Sequence, residues 1–169
     1  MTGADDADEM APLVRAAEHA GDLLRKRGQT LATAESCTGG LIGHLLTEIP
    51  GSSDYYRGGL ISYSNDLKRS ELGLDAVTLE KHGAVSAQTA LAMAEGARTR
   101  YAADVAVAVT GIAGPGGDTP GKPVGLTYVA VADRAGSDVR RHQWFGDRHR
   151  NKVASAAAAL TLLVERLER

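Results

Sequence analysis

Apolar positions along the chain switch repeatedly between helical and strand spacing, and their order predicts helices interleaved with strands. Met10, Leu13, Val14, Ala17, Gly21 and Leu24 recur at helical intervals. They predict a packing helix with Pro12 in its first turn and Gly28 placed to end it. Thr30-Leu31-Ala32-Thr33-Ala34 reads as a short strand, and Leu41-Ile42-Gly43-His44-Leu45-Leu46 opens a helix that should close near Pro50-Gly51. A strand over residues 58–63 leads into a helix capped by Asn65 and carrying Lys68. A short helical stretch around Leu79-Glu80-Lys81 follows, broken by Gly83. Ser86 suits the cap of the next helix, whose Ala87, Ala90, Leu91, Ala94, Ala97 and Tyr101 line one face. Val105-Ala106-Val107-Ala108-Val109 lacks polar alternation, which predicts a central strand covered on both faces.

Residues 124–132 form a further apolar strand and residues 133–137 a hairpin connection. The more polar run over 139–145 fits an edge position. Val153, Ala156, Ala157, Leu160, Leu163, Val164 and Leu167 line a last helix; with only two heptads, this stripe should pack on the sheet rather than in a coiled coil. The pattern as a whole predicts an α/β protein, a single three-layer α/β/α sandwich with a mixed β-sheet.

Composition narrows the class. The 169 residues, 43% of them hydrophobic, suit one domain over 10–169 with a sizeable core, behind an acidic, unstructured lead-in over 1–9. With 19 basic against 21 acidic residues the net charge is −2, so no nucleic-acid partner is expected and the ligand should be small. Cys37 is the one cysteine, which excludes an internal disulfide and a multi-cysteine zinc site. No histidine–carboxylate spacing suits a metal, so neither metal nor cofactor is expected. The N-terminus lacks the basic and apolar regions of a signal peptide, and no apolar run reaches membrane-spanning length. A cytoplasmic protein without a membrane partner is the expectation.

Chemistry concentrates in three stretches. Ala34-Glu35-Ser36-Cys37-Thr38-Gly39-Gly40 places Ser36 at a strand-to-helix junction, where amides and the helix dipole favour an alkoxide or oxyanion. An ordinary helix cap by Ser36 or Thr38 fits the same spacing. Amides around Thr38, Gly39 and Gly40 are natural oxyanion donors. Tyr63-Ser64-Asn65-Asp66-Leu67-Lys68 puts a lysine on the first turns of a helix. In a partly dry pocket that lysine is able to serve as base to a serine, although a solvated cation is the commoner role, as packing is for Tyr63. The glycine-rich Thr110–Gly117 segment lets backbone approach a ligand but has neither Walker A nor dinucleotide spacing. Cys37 reads as a small packing residue, and Glu35 as a structural carboxylate, a partner for Lys68 or a ligand for a ribose hydroxyl.

With His82-Gly83-Ala84-Val85-Ser86, Lys122-Pro123-Val124-Gly125 and Phe145-Gly146-Asp147-Arg148, these stretches make the chain resemble the C-terminal domain of the CinA family, the nicotinamide-nucleotide amidohydrolases. The resemblance implies Ser36, Tyr63 and Lys68 as the catalytic set, with Ser36 attacking, Lys68 moving the proton and Tyr63 orienting or relaying. It implies hydrolysis of nicotinamide mononucleotide to nicotinic acid mononucleotide and ammonia without a cofactor, and a homodimer. Glu35, Thr38, Gly39, Gly40, Thr110, Gly111, Gly114, Gly116 and Arg148 are then the expected substrate-binding residues. Arg148 is the expected phosphate partner through its planar donor fork. Family members often carry an arginine four residues after it, where this chain has Lys152 and an additional Arg150. The length leaves no room for the family's larger N-terminal domain, which implies a stand-alone form. The rival functions are an inactive nucleotide-binding or partner-binding paralogue and a hydrolase of another small amide.

Overall fold

The structure is a computed structural model describing the backbone of residues 3–169 and the side chains of residues 9–169. Its elements in chain order are α1 (Gly3–Arg27), β1 (Leu31–Glu35), α2 (Leu41–Thr47), β2 (Tyr56–Ile61), α3 (Asn65–Leu72) and α4 (Ala76–His82). There follow α5 (Ala87–Arg100), β3 (Val105–Gly111), β4 (Leu126–Asp133), β5 (Gly136–Gln143) and α6 (Arg148–Glu168). The strands form one sheet in the order β2-β1-β3-β4-β5. β2, β1 and β3 are mutually parallel, β4 pairs antiparallel with β3, and β5 pairs antiparallel with β4.

Two apolar layers cover this sheet. Leu24 of α1, Ile42 and Leu45 of α2, and Leu160 and Leu163 of α6 meet Val107 and Val129 on one face. Leu72 of α3, Leu79 of α4, and Ala90, Met93 and Ala97 of α5 meet Ala106, Ala108 and Ala130 on the other. The expected three-layer α/β/α sandwich with a mixed sheet is what forms. β3 is buried along its apolar length because both layers press on it. Four leucines of α6, at 160, 162, 163 and 167, are buried. At about 1.5–3 kcal/mol each they anchor the helix from which Arg148 projects.

β1 lies between β2 and β3. After β1 the chain crosses to one face through α2, and before β3 it covers the other through α3, α4 and α5. Loops therefore diverge at the carboxyl ends of β1 and β3, the place where open parallel sheets form a crevice.

Three differences from the predicted pattern have local causes. The backbone is helical from Gly3, so Pro12 stands inside α1 rather than in its first turn. The unstructured lead-in expected over 1–9 is overridden where the backbone is described, and residues 1–2 lie outside the described residues. The cap of α3 is Ser64, whose hydroxyl accepts from Leu67 N at 3.1 Å, and Asn65 is the first helical residue. The apolar stripe of α6 packs on the sheet, as its length predicted.

Candidate active site

Each strand end delivers one part of the site. β1 finishes at Glu35, and Ser36 N donates to Val109 O at 3.0 Å, extending the β1–β3 pairing by one residue. This tie fixes Ser36 at the crevice. On the other side Ser62 N donates to Glu35 O at 2.8 Å, which fixes the segment entering α3. Ser64 then starts that helix so that Lys68, in its second turn, points inward.

Lys68 is 1% exposed and Ser36 is 8% exposed. Lys68 Nζ lies 3.3 Å from Ser36 Oγ and donates to Ser62 O at 2.6 Å. Among the described residues it forms no salt bridge. Burial, which penalises the ammonium, holds the lysine below its ordinary value of 10.5. The arrangement couples a hydroxyl to an amine that gives up its proton readily.

The pair forms one side of a cleft of about 270 Å³, lined also by Tyr63, Ala84, Val85, Thr110 and residues of the glycine-rich segment. That volume sits just below the usual range of small-molecule sites, about 300–1,000 Å³. Gly111 has to be glycine: a Cβ there would stand 2.6 Å from Thr127 Oγ1 and 2.8 Å from Leu126 O. Gly111, Gly114 and Gly116 line the cleft. Thr110 lines it too, but its hydroxyl donates to Ala84 O at 2.7 Å and so ties the turn before α5 to the end of β3.

Arg148 reaches across the mouth. It donates through Nη1 to Gly114 O at 2.7 Å and through Nη2 to the Tyr63 hydroxyl at 3.0 Å. Tyr63 is 59% exposed at this rim. Its hydroxyl is engaged by Arg148 and not by Ser36 or Lys68, so the expected orienting or relaying contact with the pair is not made in this structure. Arg150 and Lys152 do not line the cleft; Lys152 Nζ instead lies beside Gly39, 3.8 Å from where a Cβ on that glycine would stand.

Four of the residues expected to contact substrate sit behind the nucleophile. Glu35, Thr38, Gly39 and Gly40 lie outside the cleft lining because they build the turn behind Ser36. Glu35, 2% exposed, accepts from Thr38 Oγ1 at 2.7 Å, Gly40 N at 3.0 Å, Ile42 N at 3.1 Å and Gly43 N at 2.8 Å. Its carboxylate takes the first amides of α2, whose N-cap position is Gly40, a capping service that the spacing alone also allowed for Ser36 or Thr38. Gly39 N donates to Ser36 O at 3.1 Å, so neither glycine amide is free to receive an oxyanion.

Cys37 borders the same cleft, yet burial pushes its thiol up to about 12. At neutral pH it is a thiol rather than a thiolate and has little nucleophilic character. Ala84 and Val85 are lining residues that sequence reasoning left without a role, whereas Ile112, Ala113 and Gly117 line the cleft within the segment expected to approach a ligand. The turn signal at Gly83 and the Ser86 cap were the available pointers to the first two. Among the described residues no three or more His, Cys, Asp or Glu side chains gather as a metal site, and no helix is long and apolar enough to cross a membrane.

Comparison with known proteins finds the same fold and related sequences along most of the chain. A CinA-like protein of Salinibacter ruber is 52% identical over 140 residues, 83% of this chain and 34% of its own length. A CinA-like protein of Geobacter sulfurreducens is 49% identical over 145 residues, 86% of this chain and 35% of its own. The chain thus spans about a third of the length of the curated relatives it matches. The crystal structure of the competence/damage inducible protein CihA from Agrobacterium tumefaciens superposes with a TM-score of 0.88 at 44% identity, covering 94% of this chain and 97% of that one. That of the competence damage-inducible protein A of Klebsiella pneumoniae has a TM-score of 0.90 at 32% identity, covering 93% and 98%. Residues 14–167 match the family described as the CinA C-terminal domain, and the chain belongs to that family.

Proposed function

We propose that the chain hydrolyses the carboxamide of nicotinamide mononucleotide, giving nicotinic acid mononucleotide and ammonia. The observation that carries this reading is the buried Lys68 amine, without a salt bridge among the described residues and 3.3 Å from Ser36 Oγ on the wall of a ligand-sized cleft. The substrate is supported by the resemblance of the motifs to the nucleotide amidohydrolases and by the Arg148 guanidinium at the cleft mouth, placed to meet a phosphate.

An amide carbonyl is a poor electrophile, so the nucleophile has to be activated. Ser36 Oγ bonds to the carboxamide carbon as its proton passes to Lys68 Nζ. The C–N bond then breaks, and Lys68 returns that proton to the departing nitrogen, which leaves as ammonia. Water attacks the resulting ester, Lys68 takes a proton from it, and Ser36 recovers its hydroxyl proton as the acid departs. Tyr63 contacts the substrate from the rim, and Arg148 exchanges its Gly114 and Tyr63 contacts for the phosphate.

The reading is tested by ammonia release from nicotinamide mononucleotide, its riboside and free nicotinamide. The mononucleotide should have the highest kcat/KM. Saturable binding without turnover by folded protein would instead favour a non-catalytic nucleotide-binding module.

The base has a pH signature. Lys68 accepts a proton only when neutral, so kcat/KM should rise with pH along a limb whose midpoint lies below 10.5 and should fall away on the acid side. A pH profile checks this. The same limb surviving in Lys68→Ala would remove the lysine from the base role.

Arg148→Ala should act mainly on binding. Loss of a charge-assisted contact of about 1.5–3 kcal/mol corresponds to a KM roughly 10–100-fold higher, with kcat little changed. An unchanged KM for the mononucleotide would move phosphate recognition to another cation.

A further inference from the structure

Asn151 lies three residues after Arg148 on α6 and is 1% exposed on the buried face of that helix. A polar amide is costly there unless it is fully partnered. Its side chain joins two segments far apart in sequence: Nδ2 donates to Ala113 O at 3.0 Å, and Oδ1 accepts from Gly146 N at 3.0 Å. The next carbonyl along the cleft wall, Gly114 O, accepts from Arg148. Two consecutive carbonyls of the glycine-rich wall are thus held by two α6 side chains at i and i+3, which share a helix face.

The wall depends on such contacts. Residues 113–118 belong to no strand or helix. Backbone bonds flank them at Ile112, which pairs with Leu126 O at 2.9 Å and Gly125 N at 2.7 Å, and at Thr119, which pairs with Lys122 O at 3.1 Å and Lys122 N at 2.9 Å. Behind Asn151 the support continues, since Ser155 Oγ donates to Asn151 O at 2.7 Å and takes the Trp144 indole N–H at 3.0 Å. Buried polar networks of this kind rigidify what they connect when every member is partnered.

We propose that Asn151 is a positioning residue of the cleft, which sets the spacing between the Ala113–Gly114 wall and the Arg148 guanidinium by holding the wall and the Gly146 turn to one helix. It touches no reacting atom and acts through the groups that do. The inference rests on the reading of the cleft as a mononucleotide site only for its kinetic arm. The geometry itself is open to measurement without ligand.

Hydrogen–deuterium exchange on the ligand-free protein is the direct test. Asn151→Ala should speed exchange in peptides covering 111–118 and 144–147 while leaving those of β1 and α3 unchanged. Asn151→Asp keeps an acceptor for Gly146 N but loses the donor to Ala113 O, so it should loosen 111–118 and spare 144–147. It also carries every readout if the alanine variant does not fold. With nicotinamide mononucleotide, either variant should raise KM about tenfold while kcat falls less than threefold. In Arg148→Ala/Asn151→Ala, KM should stay within twofold of Arg148→Ala alone, because the second change removes support for a group already absent. Unchanged exchange at 111–118, a rise shared by the whole chain, or KM losses that multiply would each overturn the proposal. Failure of the amidohydrolase reading looks different, since wild type then releases no ammonia while the exchange result still decides the role of Asn151.

Discussion

Ser36→Ala or Lys68→Ala is expected to lower ammonia release from nicotinamide mononucleotide by at least about 10³-fold, since each removes half of a nucleophile–base unit. The double variant should be little worse than the poorer single one, because without Ser36 there is no hydroxyl for Lys68 to activate. Substrate binding should survive in all three, as the groups at the cleft mouth are untouched. Lys68→Ala leaves a buried space beside Ser62 O, so folding is checked by thermal melting before rates are compared. The result that defeats the covalent mechanism is near-normal turnover by folded Ser36→Ala. Cys37 would not rescue the mechanism, because its thiol is held up to about 12 by burial and stays protonated. A water activated by Lys68 would then be the remaining nucleophile.

How far the site could be read before the fold was known depends on the range of its contacts. β3 was legible because five apolar residues without alternation have few other uses, and the stripe of α6 because two heptads are too short for a coiled coil. Ser86 was legible as a cap, and its hydroxyl does accept from Thr89 N at 3.1 Å. Lys68 and Ser36 were nameable as a pair, but the 3.3 Å between them is produced by β2 and β1 lying side by side in the sheet. The engagement of Tyr63 by Arg148 joins residues 85 apart, and no local pattern carries such information. Helix faces were read less well than helix positions: α5 buries Thr89 and Met93, which the small-residue pattern did not include, because the sheet and α3 together decide its orientation. The capping of α2 by Glu35 was not foreseen for a related reason. Serine and threonine are the usual caps, yet the loop after β1 folds back so that a carboxylate from the strand's own last residue sits under the helix.

That carboxylate carries the largest expected effect on stability. Glu35 accepts three backbone N–H groups and one hydroxyl in a site closed to water. It also faces the positive end of the α2 dipole, where a negative charge is favoured. Glu35→Ala strands all four donors at once, and with about 1–3 kcal/mol for each buried group left unpartnered, partly relieved by entering water, a net loss of about 3–5 kcal/mol is expected. For a domain of this size that is a melting temperature lower by roughly 6–20 °C. Glu35→Gln keeps one acceptor oxygen and the side-chain volume but turns the other position into a donor facing donors, so it should fall between wild type and Glu35→Ala. Turnover should drop with both, more than the population of unfolded protein explains, because the turn that Glu35 organises also presents Ser36 to Lys68. Calorimetric melting paired with ammonia release from nicotinamide mononucleotide separates the two effects. A melting temperature within about 2 °C of wild type for Glu35→Ala would show that water or a shifted Thr38 replaces the carboxylate, and that the turn behind the nucleophile is held by its strand contacts alone.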